Sequence, residues 1–314
     1  MIDKKKGPCI LGTNILYLII ALLLITLGAK AQFKEVYTGL LITEYLIILL
    51  PTLLYIKLSG YSIKEVLRLN RISLKQSIYI IFIVLFSYPI AIFFNFIGIM
   101  VLAKFGQVVS NPVPIPSTLN EYLLSIIIIA LTPGICEEAM FRGLIMNSYE
   151  SLGKRKAIIY SAILFGMFHF NLQNLLGPIF LGIIFGIIAS KTDSLLSTIL
   201  GHTINNTIAL TIGYKYINLE QNLGFSSVVL PERIMMIYSF ITLGLLAIFL
   251  GLILIKLIKS LPSSRKDPIE MDNTYNELIL MSRTKNEKMS SWERLPLWVF
   301  TLIFIFWNYH IFFI

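Results

Sequence analysis

The sequence predicts an all-α, polytopic membrane protein of about nine transmembrane helices. Three observations carry this. Of 314 residues, 56% are hydrophobic and only 14% are charged, against about 25% charged in an ordinary soluble domain. Mean hydropathy is +0.80. Apolar runs of roughly 20 residues, the length that crosses a bilayer as helix, recur along the whole chain. The formal charge of +9 does not indicate a nucleic-acid partner, because helical membrane proteins distribute Lys and Arg by topology. Two cysteines, Cys9 and Cys136, both in apolar surroundings, exclude a disulfide framework.

Lys4-Lys5-Lys6 precede the first span, from Ile10 to Gly28, which reads as an uncleaved start-transfer helix with a cytoplasmic N-terminus. The second span, Val36 to Ile56, carries Glu44. Ser62 to Ser73 then reads as an amphipathic helix on the inner surface. The third span covers Ser77 to Leu102, and the loop Val108 to Thr118, with Pro112, Pro114 and Pro116, is expected to be extended. Residues 1-118 thus form the N-terminal part. A core over residues 119-213 holds the fourth span (Leu119 to Met146), the fifth (Ala157 to Phe170), the sixth (Leu175 to Ser190) and the seventh (Leu195 to Gly213). Gly182 and Gly186 in the sixth have the spacing that lets helix backbones approach. Residues 214-258 give an outer loop and an eighth span, residues 259-294 a flexible cytoplasmic linker, and residues 295-314 a last span between interfacial tryptophans. Counted on this topology, 20 Lys and Arg lie inside and five outside, with Arg142 in the membrane. That bias sets the orientation. The expected location is a bacterial cell membrane, with the bilayer itself as one partner.

The centre of the chain is Pro133-Gly134-Ile135-Cys136-Glu137-Glu138-Ala139-Met140-Phe141-Arg142. Charges at membrane depth cost about 3 kcal/mol or more each on insertion scales, so they need partners or a wet cavity. Glu138 and Arg142 are i,i+4 with the acid first, the favourable order for a pair on one helix face. Glu137 lies about 100° round the helix and is left free. Pro133-Gly134 is expected to distort the helix beside it. Helix rise places Glu137, His169, His202, Asn206 and Glu44 roughly 13 to 20 Å from the inner boundary, in one layer. His202 and Asn206 share a helix face, as do Phe165 and His169. Carboxylate, two imidazoles and a carboxamide can activate water and then stabilise an oxyanion. Glu44 admits two readings, a helix-packing hydrogen bond or a place in the cavity wall. Cys136 reads as a packing residue and His310 as interfacial.

Glu137-Glu138-xxx-Arg142, Phe165-xxx-His169 and His202-xxx-Asn206 resemble the three motifs of the CAAX protease and bacteriocin-processing (Abi) family of intramembrane endopeptidases. The likeness covers Leu119 to Gly213. It implies a CAAX-protease-like core whose cavity opens toward the cytoplasm. It also implies that Glu137 and His169 activate water, that His202 and Asn206 serve as oxyanion donors, and that Glu138, Arg142 and Phe165 support the site. The substrate would be a membrane-associated peptide or protein. No cofactor is required, although Glu137, His169 and His202 offer a zinc-ligand set as an alternative. Rival functions are a proton-coupled transporter and a non-catalytic immunity or binding protein. Oligomeric state is not legible.

Overall fold

The computed structural model describes residues 7–105, 108, 114–223, 232–264 and 288–313. The Lys4–Lys6 run, residues 109–113 of the Pro-rich loop and residues 265–287 of the linker lie outside them. The described residues form an all-helical bundle: α1 (Ile10–Lys34), α2 (Val36–Leu58), α3 (Leu74–Leu102), α4 (Leu119–Leu152), α5 (Lys154–Met167), α6 (Leu176–Thr192), α7 (Leu195–Leu223), α8 (Glu232–Ser260) and α9 (Ser291–Phe313). Six of these, α1 to α4, α8 and α9, are long and apolar enough to cross a membrane. The chain is an integral, multi-pass membrane protein.

The most buried spanning helix is α4. It packs on α2, α5 and α7, while α3 holds α6, α7 and α8 together and α9 lies along α1. Two expected boundaries move. α1 runs past Gly28 to Lys34, because the break falls at Glu35, whose extended backbone (φ −157°) ends one helix and caps the next. Its carboxylate accepts from the Tyr37 and Thr38 backbone N–H groups at 3.0 and 2.6 Å. Hydrogen bonds from Thr38 and Tyr37 hold that carboxyl below its ordinary range. At the far end of the core, α7 continues through the expected outer loop to Leu223. No Gly or Pro lies between Gly213 and Leu223 to stop it, and Tyr214 stacks on Tyr122 with centroids 4.9 Å apart.

The expected amphipathic helix at Ser62–Ser73 is not formed. Only Ile63–Val66 makes a helical turn; Val66, Leu67 and Arg68 then turn inward and are buried. Arg68 takes a left-handed backbone (φ 49°) to reach Glu150 at 2.6 Å and Asp193 at 3.7 Å. Two carboxylates offered by neighbouring loops outweigh the surface preference of a basic segment. Asn70 binds the Asp193 carbonyl at 2.7 Å, and Ser264 N–H binds the Lys191 carbonyl at 3.0 Å. These bonds gather the loops before α3, after α4, after α6 and after α8 at one end of the bundle, which is the basic end.

Helices α5 and α6 are short. Fourteen and 17 residues give about 21 and 25 Å, less than a ~30 Å hydrocarbon core. They form a hairpin from the basic end whose tip is residues 170–175. Gly182 and Gly186 let its arms close: a Cβ on Gly182 would lie 2.8 Å from the Ala162 Cα, and one on Gly186 would lie 2.9 Å from Ile158. Irregular backbone at depth survives only when protein satisfies it. Here Asn308 of α9 accepts from the Leu172 N–H at 2.7 Å, and Asn95 of α3 accepts from the Gly177 N–H at 2.7 Å. Asn95 also donates to Asn174 at 2.5 Å.

Candidate active site

Helix α4 supplies the charged residues. Glu138 and Arg142 pair at 2.7 Å with both side chains fully buried. The guanidinium carbon lies 4.4 Å from the Phe165 ring centroid and 5.4 Å from that of Phe185, so the cation is held between π faces. Phe165 thus packs directly against this cation. The pair is not closed on itself. The same Glu138 oxygen that meets Arg142 also meets His202 Nδ1 at 2.9 Å. Two elements, α4 and α7, are tied at this carboxylate.

That contact fixes the His202 ring. An ionised carboxylate only accepts, so Nδ1 carries the proton and Nε2 is turned to the other side. Glu137 stands there, its Oε2 3.9 Å from Nε2 and without a hydrogen-bond partner. Phe185 stacks on the ring at 5.7 Å and 22°. His169, at the hairpin tip, is oriented by its own helix. Its Nδ1 meets the Phe165 carbonyl at 3.0 Å, and a carbonyl can only accept, so Nε2 is the free base.

Asn206 owes its position to Pro133. Proline has no N–H for the carbonyl four residues back, that of Ile129. That carbonyl accepts from Asn206 Nδ2 at 3.2 Å. The expected distortion at Pro133-Gly134 takes the form of wide π turns on either side, Ile126–Leu131 and Ala139–Ile145, around a regular segment. Asn206 Oδ1 accepts from Asn205 at 3.1 Å. One of its two amide hydrogens remains uncommitted to these bonds.

His169, His202, Asn206 and Phe165 line one cavity of about 480 Å³. Glu137 is not among its lining residues; it stands behind the Nε2 edge of His202. The cavity runs along α7. Its far wall is Pro114, Ile115 and Gly213, and Gly213 is 18 residues along α7 from the basic end, about 27 Å. From His202 the cavity therefore extends away from the end with the basic loops. The alternative zinc set is not assembled either. Among the described residues no three His, Cys, Asp or Glu side chains come together as a metal-ligand group.

Glu44 is 5% exposed on α2, with its Oε2 unpartnered and Glu137 as an interacting charge. It does not line the cavity. Cys136 is buried packing. The sequence reading missed Asn95, Asn205 and Asn308. A signal existed, since each is a carboxamide inside an apolar run, where polar groups are costly and seldom idle.

No curated protein and no solved structure matches the chain. The model of one family, described as type II CAAX prenyl endopeptidase Rce1-like, matches residues 119–208, the stretch from the start of α4 to just past Asn206. Residues 119–208 form a CAAX-protease-like helical domain within a larger multi-pass membrane protein.

Proposed function

We propose that the protein is an intramembrane endopeptidase that hydrolyses a peptide bond of a membrane-associated peptide or protein. The observation that carries this is the approach of Glu137 to His202 at 3.9 Å, with His202, His169 and Asn206 sharing one cavity inside the matched domain. In this reading Glu137 and His169 activate a water molecule. A proton passes from the water oxygen to the carboxylate, and the oxygen bonds to the scissile carbonyl carbon. The charge that develops on the carbonyl oxygen meets the second N–H of Asn206. A proton handed on to His202 Nε2 turns that nitrogen into a second donor. The C–N bond then breaks as the leaving amine takes up the proton removed from water.

Glu138 and Arg142 touch no reacting atom in this scheme; they hold His202. Glu44 acts only as a neighbour of Glu137. A transport function would need polar lining reaching both ends, and the cavity lining does not extend to the basic end. The test is cleavage by the purified full chain in liposomes, read by mass spectrometry of membrane-associated peptides. Glu137→Gln keeps shape and hydrogen bonding but removes the base, so it is expected to abolish cleavage while leaving the melting temperature unchanged. Cleavage by Glu137→Gln at the wild-type rate would overturn the reading.

A further inference from the structure

On α7 the residues His202, Asn206, Ala209 and Gly213 are spaced i, i+4, i+7 and i+11 and all line the cavity, so they form one stripe along a single helix face. From His202 to Gly213 the stripe is about 16 Å long. An extended chain advances about 3.3 Å per residue, so about five residues fit alongside it. The opposing walls come from Tyr88 and Ile92 of α3 and Leu181 and Phe185 of α6, and among the described residues that line it none is charged.

One polar atom at this stripe has no assignment. Asn205 uses its Nδ2 on Asn206, while its Oδ1 is buried and has no hydrogen-bond partner. Asn205 is also a lining residue. A buried acceptor left empty is costly, and the donor that would satisfy it is an N–H. Resting on the endopeptidase reading above, we propose that the groove along α7 takes an extended, uncharged, apolar peptide segment of about five residues. It enters past Ile115 and Gly213, and Asn205 Oδ1 accepts one of its backbone N–H groups. The scissile bond lies at the His202 end. A Lys, Arg, Asp or Glu in the segment would be stripped of water in a cavity that offers it no counter-charge.

The experiment uses the full chain in liposomes and one uncharged octapeptide that it cleaves, carrying a quenched fluorophore pair. A single Lys or Glu is placed at each position in turn, and in a second series a single backbone N–H is methylated. The charge series is expected to show one contiguous window of about five positions in which kcat/KM falls about a hundredfold or more, with charges tolerated outside it. The methyl series is expected to show one position that costs about tenfold in the wild type and nothing further in Asn205→Leu. Gly213→Trp, which plugs the mouth, should lower kcat/KM for the octapeptide at least tenfold. Charge tolerated at every position, or the same methyl penalty with and without Asn205, overturns this proposal alone. Failure to cleave any uncharged peptide overturns the endopeptidase reading with it. The charge series needs no variant and stands even where Asn205→Leu does not fold.

Discussion

Replacing Arg142 by Met tests how the bundle tolerates charge at its centre. Arg142 is 1% exposed and Glu138 0%, so neither has water to fall back on. The substitution keeps much of the side-chain bulk between Phe165 and Phe185 but removes the 2.7 Å ion pair. Glu138 then keeps only His202 on its shared oxygen. Removing one partner of a buried pair costs about 3–5 kcal/mol, mostly as the penalty of the charge left behind. In a chain of this size that corresponds to a fall in melting temperature of the order of 10 °C. The assay is thermal unfolding of the detergent-purified protein, followed by tryptophan fluorescence, beside its abundance in the membrane. The double substitution Glu138→Met, Arg142→Met removes both charges and should recover most of the loss, since well-packed apolar residues often replace a buried pair without penalty. It should nevertheless be inactive, because His202 Nδ1 has lost its acceptor. Wild-type melting in Arg142→Met, or a double variant no more stable than the single, would refute the reasoning.

Other outcomes are expected from the same geometry. Asn206→Ala should lose about 10² to 10³ in kcat, the size of one oxyanion donor, with the protein still folded. Asn308→Leu orphans the Leu172 N–H and should destabilise by about 1–3 kcal/mol; it should also lower kcat, because His169 sits three residues before the unlatched tip, and wild-type values of both would contradict the bracing role. In a Cys9→Ser background, cysteine at Phe33, exposed at the end of α1, should react with an impermeant maleimide added to intact cells, whereas cysteine at Leu58 should not; the reverse pattern would invert the topology. A strong zinc chelator should leave peptide cleavage unchanged, and loss restored by added zinc would show that the ligand set forms in solution.

Local periodicity carried the reading well where partners share a helix. Glu138 and Arg142 pair across i,i+4 as their spacing requires, and His202 and Asn206 face one cavity for the same reason. What spacing does not encode is the rotation of one helix against another. The His202–Glu138 bond joins residues 64 apart, and it decides which imidazole nitrogen carries a proton. Arg68 was misread as a surface charge because its two carboxylate partners, Glu150 in the last turn of α4 and Asp193 just after α6, are remote in sequence.

The knot at Glu138 has a consequence for the order in which the chain is made. Arg142 follows Glu138 by four residues, so α4 enters the bilayer with its cation already neutralised. Its third partner does not yet exist. At about 5–20 residues per second, the 64 residues from Glu138 to His202 take roughly 3 to 13 s to synthesise. During those seconds Phe165 and then Phe185 emerge and close over the guanidinium, and only afterwards does His202 arrive. The latch on the hairpin tip comes later still, since Asn308 lies 136 residues after Leu172. The site is therefore born open, and the hairpin that carries its histidine is latched only once α9 has been made.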